Sequence, residues 1–445
     1  MIRTENDHMN QPSPRALALS LLLRCEHDNL YSNLILDTAI RRNKLSDADR
    51  GLLTALVYGV LEKKLTLDYL IGQLSDRPAD KLDDEVRVLL RMGLYQLRFM
   101  DRIPAHAALN ETVSLAPKRS RGFVNALLRR YTRESEQIPL PDREREPLRY
   151  LSVAYSFPQA LCERFVGIYG LERAERVLAA IDRTPPLTIR VNTCRTSVDE
   201  LSARLTAAGA SVSPALHAPH ALRLDGGNPT ALPGFDTGDF FVQDEASQIC
   251  VEAVDAREGM RVLDVCACPG SKSFGMAINM NNQGSLTAYD LHANKLSLIE
   301  KGAARLGLTN ISVAARDGRA FDPSLEGCAD RVLCDVPCSG FGVLAKKPEI
   351  RYKDLSELTP LPDIQLAILE NACRYVKSGG MLVYSTCTIF PEENEDNVAR
   401  FLARHTEFAR CDFTVGDLAS ENGMLTLSPD EHGTDGFFVA KFIKE

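Results

Sequence analysis

The sequence predicts a multidomain protein: an all-α N-terminal bundle, a small α+β module, and a C-terminal α/β Rossmann-like domain on a doubly wound parallel sheet. Three observations predict it. The 445 residues exceed one ordinary domain of about 150 residues. Over residues 12 to 133 apolar side chains recur at spacings of three and four, the period of one helix face. From about residue 238 short β-rich runs alternate with helical ones, as successive βαβ units require.

In the first region, ALALSLLLRC, NLILDTAIRR, RGLLTALVYGVLEKKLTLDYLIGQL, EVRVLLRMGLYQLRFM and GFVNALLRRY read as helices, expected to form a domain over 1–140. KLSDADRG, SDRPADKLDD and RIPAHAALN separate them with Ser, Asp and Pro start and stop signals. TRESEQIPLPDREREPLRY (132–150) has no apolar period and reads as a linker. The second domain is expected over 150–235. SFPQALCERFVGIYGLERAERVLAAID is helical there, TIRVN alternates as a strand, and TSVDELSARLTAAG carries a capping Ser/Thr-plus-acid start and ends at Gly209. The third domain is expected over 238–445. Its strands are RVLDVCA, SLTAYDL, ISVAARD, RVLCDVP and GGMLVYSTC, and SFGMAINMN, NKLSLIEKGAARLG, LPDIQLAILENACRYVK and EENEDNVARFLARH are the helices between them.

Composition narrows the class. Hydrophobic residues at 44% and charged residues at 25% are those of a water-soluble globular chain. The apolar run Ala16–Leu23 follows polar residues without a cleavage pattern, so no signal peptide is read, and no stretch approaches the ~18 apolar residues of a membrane span. A cytoplasmic monomer with no membrane partner is expected. The 12 cysteines are scattered, which argues for reduced thiols rather than a disulfide scaffold. The net charge of -8 argues against a uniformly basic coat. It hides an asymmetry: of 52 basic and 60 acidic residues, the first 150 positions hold 24 and 21, the rest 28 and 39. Residues 117–133 contain six basic side chains and no acid, interleaved with Phe123 and Tyr131. That pattern fits either a solvated helix face or nucleic-acid contact.

VLDVCACPGSKS (262–273) is a strand, a turn of small residues and a helix start, where Gly270 and Ser271 let backbone N–H groups approach a ligand. Neither GxxxxGK[ST] nor GxGxxG is present, so a phosphate or dinucleotide loop is excluded. Asp290 ends the next strand, placed for a ribose diol, and Asp317 ends the third, placed for an adenine amino group. Each alone reads more readily as a strand-end helix cap. Together they fit a nucleoside cofactor without a phosphate arm, such as S-adenosylmethionine. Asp335 and Cys338 follow the fourth strand, and Cys387 the fifth. Two thiols at neighbouring strand ends are open to three readings: metal ligands, a redox pair or covalent catalysis. Cys266 and Cys268 are the one tight cysteine pair, without CxxC spacing or a His-rich companion, so no metal is expected.

VQDEASQ (242–248), DVCACPGSK, DVPCSG followed by KKPEIRY, YSTC with FPEENEDNV, and DGFFVAKF closely resemble the RNA cytosine-5 methyltransferases of the NOL1/NOP2/Sun group. VNALLRRY and the helices before it resemble the NusB-type RNA-binding domain, and the pairing is that of the Sun subgroup acting on small-subunit ribosomal RNA. The resemblance spans nearly the whole chain.

It implies that Cys387 adds to C6 of the base, that Cys338 assists release of the methylated base, and that Asp335 holds the N3 and amino edge near the transferred methyl. A site that lowers the Cys387 pKa is expected, since an ordinary thiol is mostly protonated at neutral pH. Cys266, Ala267, Cys268, Pro269, Gly270, Ser271 and Lys272 fall to the methionine end and backbone cradle of S-adenosylmethionine, Asp290 to its ribose and Asp317 to its adenine. Lys295 matches a position often basic in the family. The chain departs from the common CAAPGGK loop at Cys268 and at Ser271, which must tolerate the φ that glycine would take. The expected partner is 16S ribosomal RNA, with a target base flipped out of any stem. Its candidate contacts are Lys118, Arg119, Arg121, Arg129, Arg130, Arg190, Asn192, Lys346, Lys347 and Arg351. Transfer RNA is the rival substrate, and a non-enzymatic, antitermination-like RNA binder the rival function.

Overall fold

The computed structural model describes residues 12–28, 32–43 and 45–445. Residues 1–11 of the leading segment in which no signal peptide is read, and with them the start of the expected 1–140 domain, lie outside the described residues. Two compact units emerge: residues up to Asp182 with Lys347–Lys353, and Arg183–Lys346 with Asp354–Glu445.

The first unit consists of α1 (Pro14–Asp28), α2 (Ser32–Asn43), α3 (Asp47–Glu62), α4 (Lys64–Leu74), α5 (Asp84–Phe99), α6 (Ala105–Leu115), α7 (Arg121–Glu134), α8 (Pro147–Tyr155), α9 (Gln159–Tyr169) and α10 (Leu171–Ile181). Leu53, Leu56, Val57, Leu67, Ile71, Leu89, Leu90 and Leu128, at helical spacing, fill its core. Charge is buried with its partners: Glu26 accepts from Arg91 at 2.9 Å and pairs with Lys64 at 2.8 Å. Burial raises the Glu26 pKa, but these cations outweigh it and hold it at about 2. Three expectations change here. The single periodic run over 51–74 is two helices, broken at Lys63. RIPAHAALN separates α5 from α6 only through Arg102–Pro104: Pro104 is the N-cap of α6, as its start signal implies, and Ala105–Asn110 already belong to that helix. The expected linker is partly helical, entering α8 at Pro147.

The second unit carries two larger sheets. β1 (Leu187–Val191), β2 (Val212–Pro214), β3 (Ala221–Leu224) and β4 (Phe240–Val242) form an antiparallel sheet in the order β2-β3-β1-β4, with α11 (Val198–Ala207). Ser197 and Glu200 close the capping box read from the sequence, and Gly209 has φ +87° after the helix. α12 (Glu245–Val254) leads into the main sheet: β5 (Arg261–Asp264), α13 (Ser271–Asn279), β6 (Ser285–Asp290), α14 (Leu296–Leu306), β7 (Ile311–Ala315), β8 (Ala329–Asp335), α15 (Leu361–Ala372), β9 (Val376–Thr386), α16 (Glu395–Arg404) and β10 (Phe408–Arg410). The small pair β11 (Thr414–Val415) and β12 (Leu418–Ala419) precedes β13 (Met424–Leu427), α17 (Pro429–His432) and β14 (Phe437–Lys444). The order is β10-β14-β9-β8-β5-β6-β7, with β13 also on β14. β5 to β9 are parallel, as expected, but β14 inserts antiparallel beside β9 and carries β10 and β13 antiparallel to itself, so the sheet is mixed. Val262, Leu263, Val332, Leu333, Leu382 and Val383 are buried on these strands, as a sheet covered on both faces requires.

Candidate active site

The strand order reverses between β5 and β8, and open α/β sheets bind ligands beyond the carboxyl ends at such a point. There the loop 266–270 leaves β5, tied to β6 by the Ala267 N–H donating to the Tyr289 carbonyl at 2.8 Å. Gly270 takes φ +110°, and a Cβ on it would lie 2.7 Å from the Phe274 ring, so the turn demands glycine. Ser271 opens α13 without a positive φ, so the serine takes the family glycine's place without strain. Asp290 accepts from the Cys268 N–H at 3.2 Å and from the His292 N–H at 2.9 Å, which anchors the loop. Asp317 accepts from both the Nε and Nη2 atoms of Arg319 at 3.0 and 2.7 Å, hydrogen bonds that hold its carboxyl below the usual range. Lys295 is exposed on the turn before α14. Burial drives the Cys266 thiol well above its usual pKa and, with Asp290, lifts Cys268 to about 12, so both remain protonated. Asp264, buried at the end of β5, accepts from the Ser273 hydroxyl at 2.7 Å and is raised by burial to about 7.

β8 and β9 bring the two expected thiols together. Asp335 faces Ser385 in the register, and the Gly342 N–H donates to the Cys387 carbonyl at 2.9 Å. The sulfur atoms of Cys338 and Cys387 lie 3.1 Å apart. The contact with Cys387, with burial, pushes the Cys338 thiol well above its ordinary pKa. Asp335 accepts from Lys272 Nζ at 2.7 Å and from Ser385 Oγ at 2.8 Å. Burial pulls the Lys272 pKa down, but Asp335 outweighs it and keeps the ammonium charged.

The acidic run after Cys387 has a structural use. Glu393, 3% exposed, accepts from the Ser339 N–H at 2.9 Å and from Gln365 Nε2 at 2.8 Å. Thr386 donates to Asn394 Oδ1 at 2.6 Å, and Asn394 Nδ2 donates to the Thr388 carbonyl at 3.1 Å. Both thiol-bearing turns are thus braced by one buried polar network. The roles of Ser385, Glu393 and Asp264 were missed from the sequence. The signal for Glu393 was the pair of acids, Glu392 and Glu393, that follows Phe390-Pro391.

The expected RNA contacts divide. Lys118, Arg119, Arg121, Arg129 and Arg130 are exposed on or before α7, and Lys347 is exposed in the 347–353 segment. Arg77, Lys81, Arg119, Phe123 and Arg130 line a groove of about 610 Å³ in the helical unit. Arg190, Asn192 and Arg351 are interior instead and are withdrawn as contacts. Arg190 donates to Glu252 and Asn279, both at 2.7 Å, and its side chain is wholly buried. Asn192 donates to the carbonyls of Gly238 and Leu306. Arg351 donates to the Glu62 carbonyl at 3.1 Å and lies 4.2 Å from the Phe157 ring centroid. Lys346 is engaged by Asp244 and Asp435, leaving little charge for a phosphate. Among the described residues one trio of metal-type side chains, Cys373, His405 and Glu407, lies at the amino end of β9, away from the thiol pair. Hydrogen bonds account for it, since Cys373 donates to the Glu370 carbonyl and His405 pairs with Glu407.

Comparisons with known proteins follow the same division of the chain. The model described as 16S rRNA methyltransferase RsmB/F matches residues 251–443, that of the NusB family residues 12–133, and a ferredoxin-like domain of RsmF/B-like methyltransferases residues 157–231. The probable ribosomal RNA small subunit methyltransferase B of Bacillus subtilis (strain 168) is 38% identical over 98% of this chain and 100% of its own length. The ribosomal RNA small subunit methyltransferase B of Shigella sonnei (strain Ss046) is 36% identical over 91% of this chain and 92% of its own. Among solved structures, that of PH0851 superposes with a TM-score of 0.79 at 27% identity, covering 98% of this chain and 100% of that one. A methyltransferase homolog from Pyrococcus horikoshii gives 0.59 at 28% identity, covering 66% and 98%. With three domains matched in order and similarity along its whole length, the chain belongs to the 16S rRNA methyltransferase RsmB/F family.

Proposed function

We propose that the protein methylates C5 of one cytosine in 16S ribosomal RNA, through a transient bond between Cys387 and C6 of the base. The observation that carries this reading is the pair of thiols 3.1 Å apart beside the Lys272–Asp335 ion pair, at the switch point of the sheet. Cytosine C5 is a poor nucleophile until a thiolate adds at C6 and sends an electron pair toward C5. Cys387 forms that bond, and Cys338, whose thiol is pushed well above its ordinary pKa by the contact with Cys387 and by burial, donates a hydrogen bond toward the sulfur that carries the charge. Asp335 accepts from the amino edge of the base and holds it, its own position fixed by Lys272 and Ser385. The residues fit S-adenosylmethionine: Gly270, at φ +110°, makes the tight turn that starts α13, and Asp290 and Asp317 stand at the next two strand ends for ribose and adenine. That cofactor, when bound, supplies the methyl group. Once C5 carries it, a solvent base takes the C5 proton, the C5–H electron pair closes the C5–C6 double bond, and the C6–sulfur bond breaks with its pair returning to Cys387 as the thiolate, a release in which Cys338 assists. The exposed basic residues of α7 and the groove beside Phe123 give the helical unit a surface for RNA phosphates and an unstacked base.

The test is transfer of labelled methyl groups to small-subunit ribosomal RNA by wild type, Cys387→Ala and Cys338→Ala. The expected result is 5-methylcytosine with wild type, none with Cys387→Ala, and a protein–RNA adduct stable to denaturing gels with Cys338→Ala. Full activity in Cys387→Ala would overturn the nucleophile, and label in transfer RNA alone would overturn the substrate.

A further inference from the structure

Lys346 closes the loop that leaves β8 with Cys338. Its ammonium pairs with Asp244 and, at 2.8 Å, with Asp435. Asp244 is the N-cap of α12 and spends its other oxygen on the Ala246 N–H at 2.9 Å, so that carboxylate is fixed in place. Asp435 is 8% exposed and precedes Gly436, whose N–H donates to the Gly342 carbonyl at 2.9 Å. Gly342 in turn donates to the Cys387 carbonyl. Between Cys338 and Lys346 the loop is therefore gripped at Ser339 by Glu393, at Gly342 by the Cys387 strand end, and at Lys346 by two carboxylates from separate segments. One cation between two acids, of which Asp435 is buried and Asp244 half-buried, is a clamp: without it the two negative charges would face each other and drive the segments apart. Asp435 already shows this tension, since burial and Asp244 lift it to about 7 despite the lysine.

We propose that Lys346 is a positioning residue for the release step, holding the Cys338 loop against Cys387 rather than contacting RNA. This rests on the two-thiol reading for its catalytic consequence, but its geometric part can be read without catalysis. In the full-length protein, diamide oxidises two adjacent thiols to a disulfide while it is itself reduced to the hydrazine. The rate at which the Cys338–Cys387 disulfide appears, mapped by mass spectrometry, reports how closely the thiols are held. Lys346→Met should slow that rate about tenfold, and Lys346→Arg should restore it to within about threefold of wild type. In methyl transfer, Lys346→Met should accumulate the covalent adduct seen with Cys338→Ala, with turnover down about tenfold and RNA affinity within about twofold. Asp435→Asn, nearly isosteric, serves should Lys346→Met fail to fold, and should show a smaller defect of the same kind. An unchanged disulfide rate in the folded variant overturns the proposal. Weaker RNA binding with a salt slope reduced by about one, and no adduct, would also overturn it in favour of a phosphate contact. If Cys338→Ala traps no adduct, the two-thiol reading itself fails, and the disulfide rate alone decides whether Lys346 positions the loop.

Discussion

Gly342→Ala probes the junction between the two thiol-bearing turns. Gly342 has no positive φ, so alanine meets no backbone penalty, and the effect is purely steric. A Cβ there would run into the Gly436 carbonyl, 2.6 Å from its carbon and 2.8 Å from the Cys387 carbonyl oxygen. All three contacts are backbone and cannot turn aside as a side-chain tip would. Relief requires opening the hydrogen bonds from Gly342 to Cys387 and from Gly436 to Gly342, both 2.9 Å. Two such bonds contribute roughly 1–3 kcal/mol net, and overpacking adds about 1–3 kcal/mol. The expected destabilisation is therefore about 2–6 kcal/mol. Because the displaced atoms carry Cys387, the proposed nucleophile, a shift of ~1 Å should also cost on the order of 100-fold in single-turnover methyl transfer. Urea denaturation gives the midpoint shift, and hydrogen exchange on peptides covering 336–346 and 434–442 localises it. Gly51→Ala is the control: it lies within α3 with nothing within 4 Å of a new Cβ, and should stabilise by about 0.5–1 kcal/mol. If Gly342→Ala kept the wild-type midpoint, exchange pattern and rate, the coupling of the two turns through their backbones would be refuted.

The buried acid at the end of β5 predicts a pH effect. With the folded Asp264 pKa raised from 3.8 to about 7, the contribution of Asp264 itself to stability is fullest where it is protonated in both states, and is lost as pH rises from about 4 to 7. Asp264→Asn should match wild type near pH 4 and exceed it by about 2–4 kcal/mol above pH 7; a constant difference across pH would contradict the assignment. Arg190→Met should destabilise by about 3–5 kcal/mol by stranding Glu252, while the RNA salt slope of whatever folded protein remains is unchanged. Conversely, Lys118→Ala combined with Arg121→Ala should leave the melting temperature within about 1 °C and flatten the plot of log affinity against log salt by about 0.7–1.8; an unaltered slope would remove the α7 face from the RNA surface.

Why these arginines were sorted wrongly from the sequence, and the strand ends rightly, has one physical cause. A strand that ends in a turn of small residues announces both its direction and its exposed edge, so Asp290, Asp317, Asp335, Cys338 and Cys387 could be placed on one rim of the sheet from local pattern alone. Burial of a charge is not local. Arg190 sits in LTIRV, four of whose five residues are buried, so alternation cannot say which face is wet. Its partner Glu252 is 62 positions away and nothing near Arg190 announces it. Arg351 is similar, lying in a run rich in charge that reads as solvated. Its donors end on carbonyls of Glu62 and Tyr155, which no side-chain pattern encodes.

The direction of β14 was hidden for a related reason. FFVAKFIK has every propensity of a strand, but propensity is the same read forwards or backwards, and only the pairing of Phe438 with Thr386 through Ile443 with Met381 sets it antiparallel. That direction has a consequence for the site. An antiparallel β14 enters the sheet at the carboxyl end of β9, so Asp435, Gly436 and Phe437 arrive at the rim where the parallel strands leave it. Gly436 can then bond Gly342, Asp435 can meet Lys346, and the Phe437 ring centroid lies 5.1 Å from Lys272 Nζ. A parallel strand in the same place would put those residues at the opposite edge. The reversal of one strand thus delivers a third segment to the pair of thiols, and the acidic residue that precedes it becomes part of the grip on the Cys338 loop.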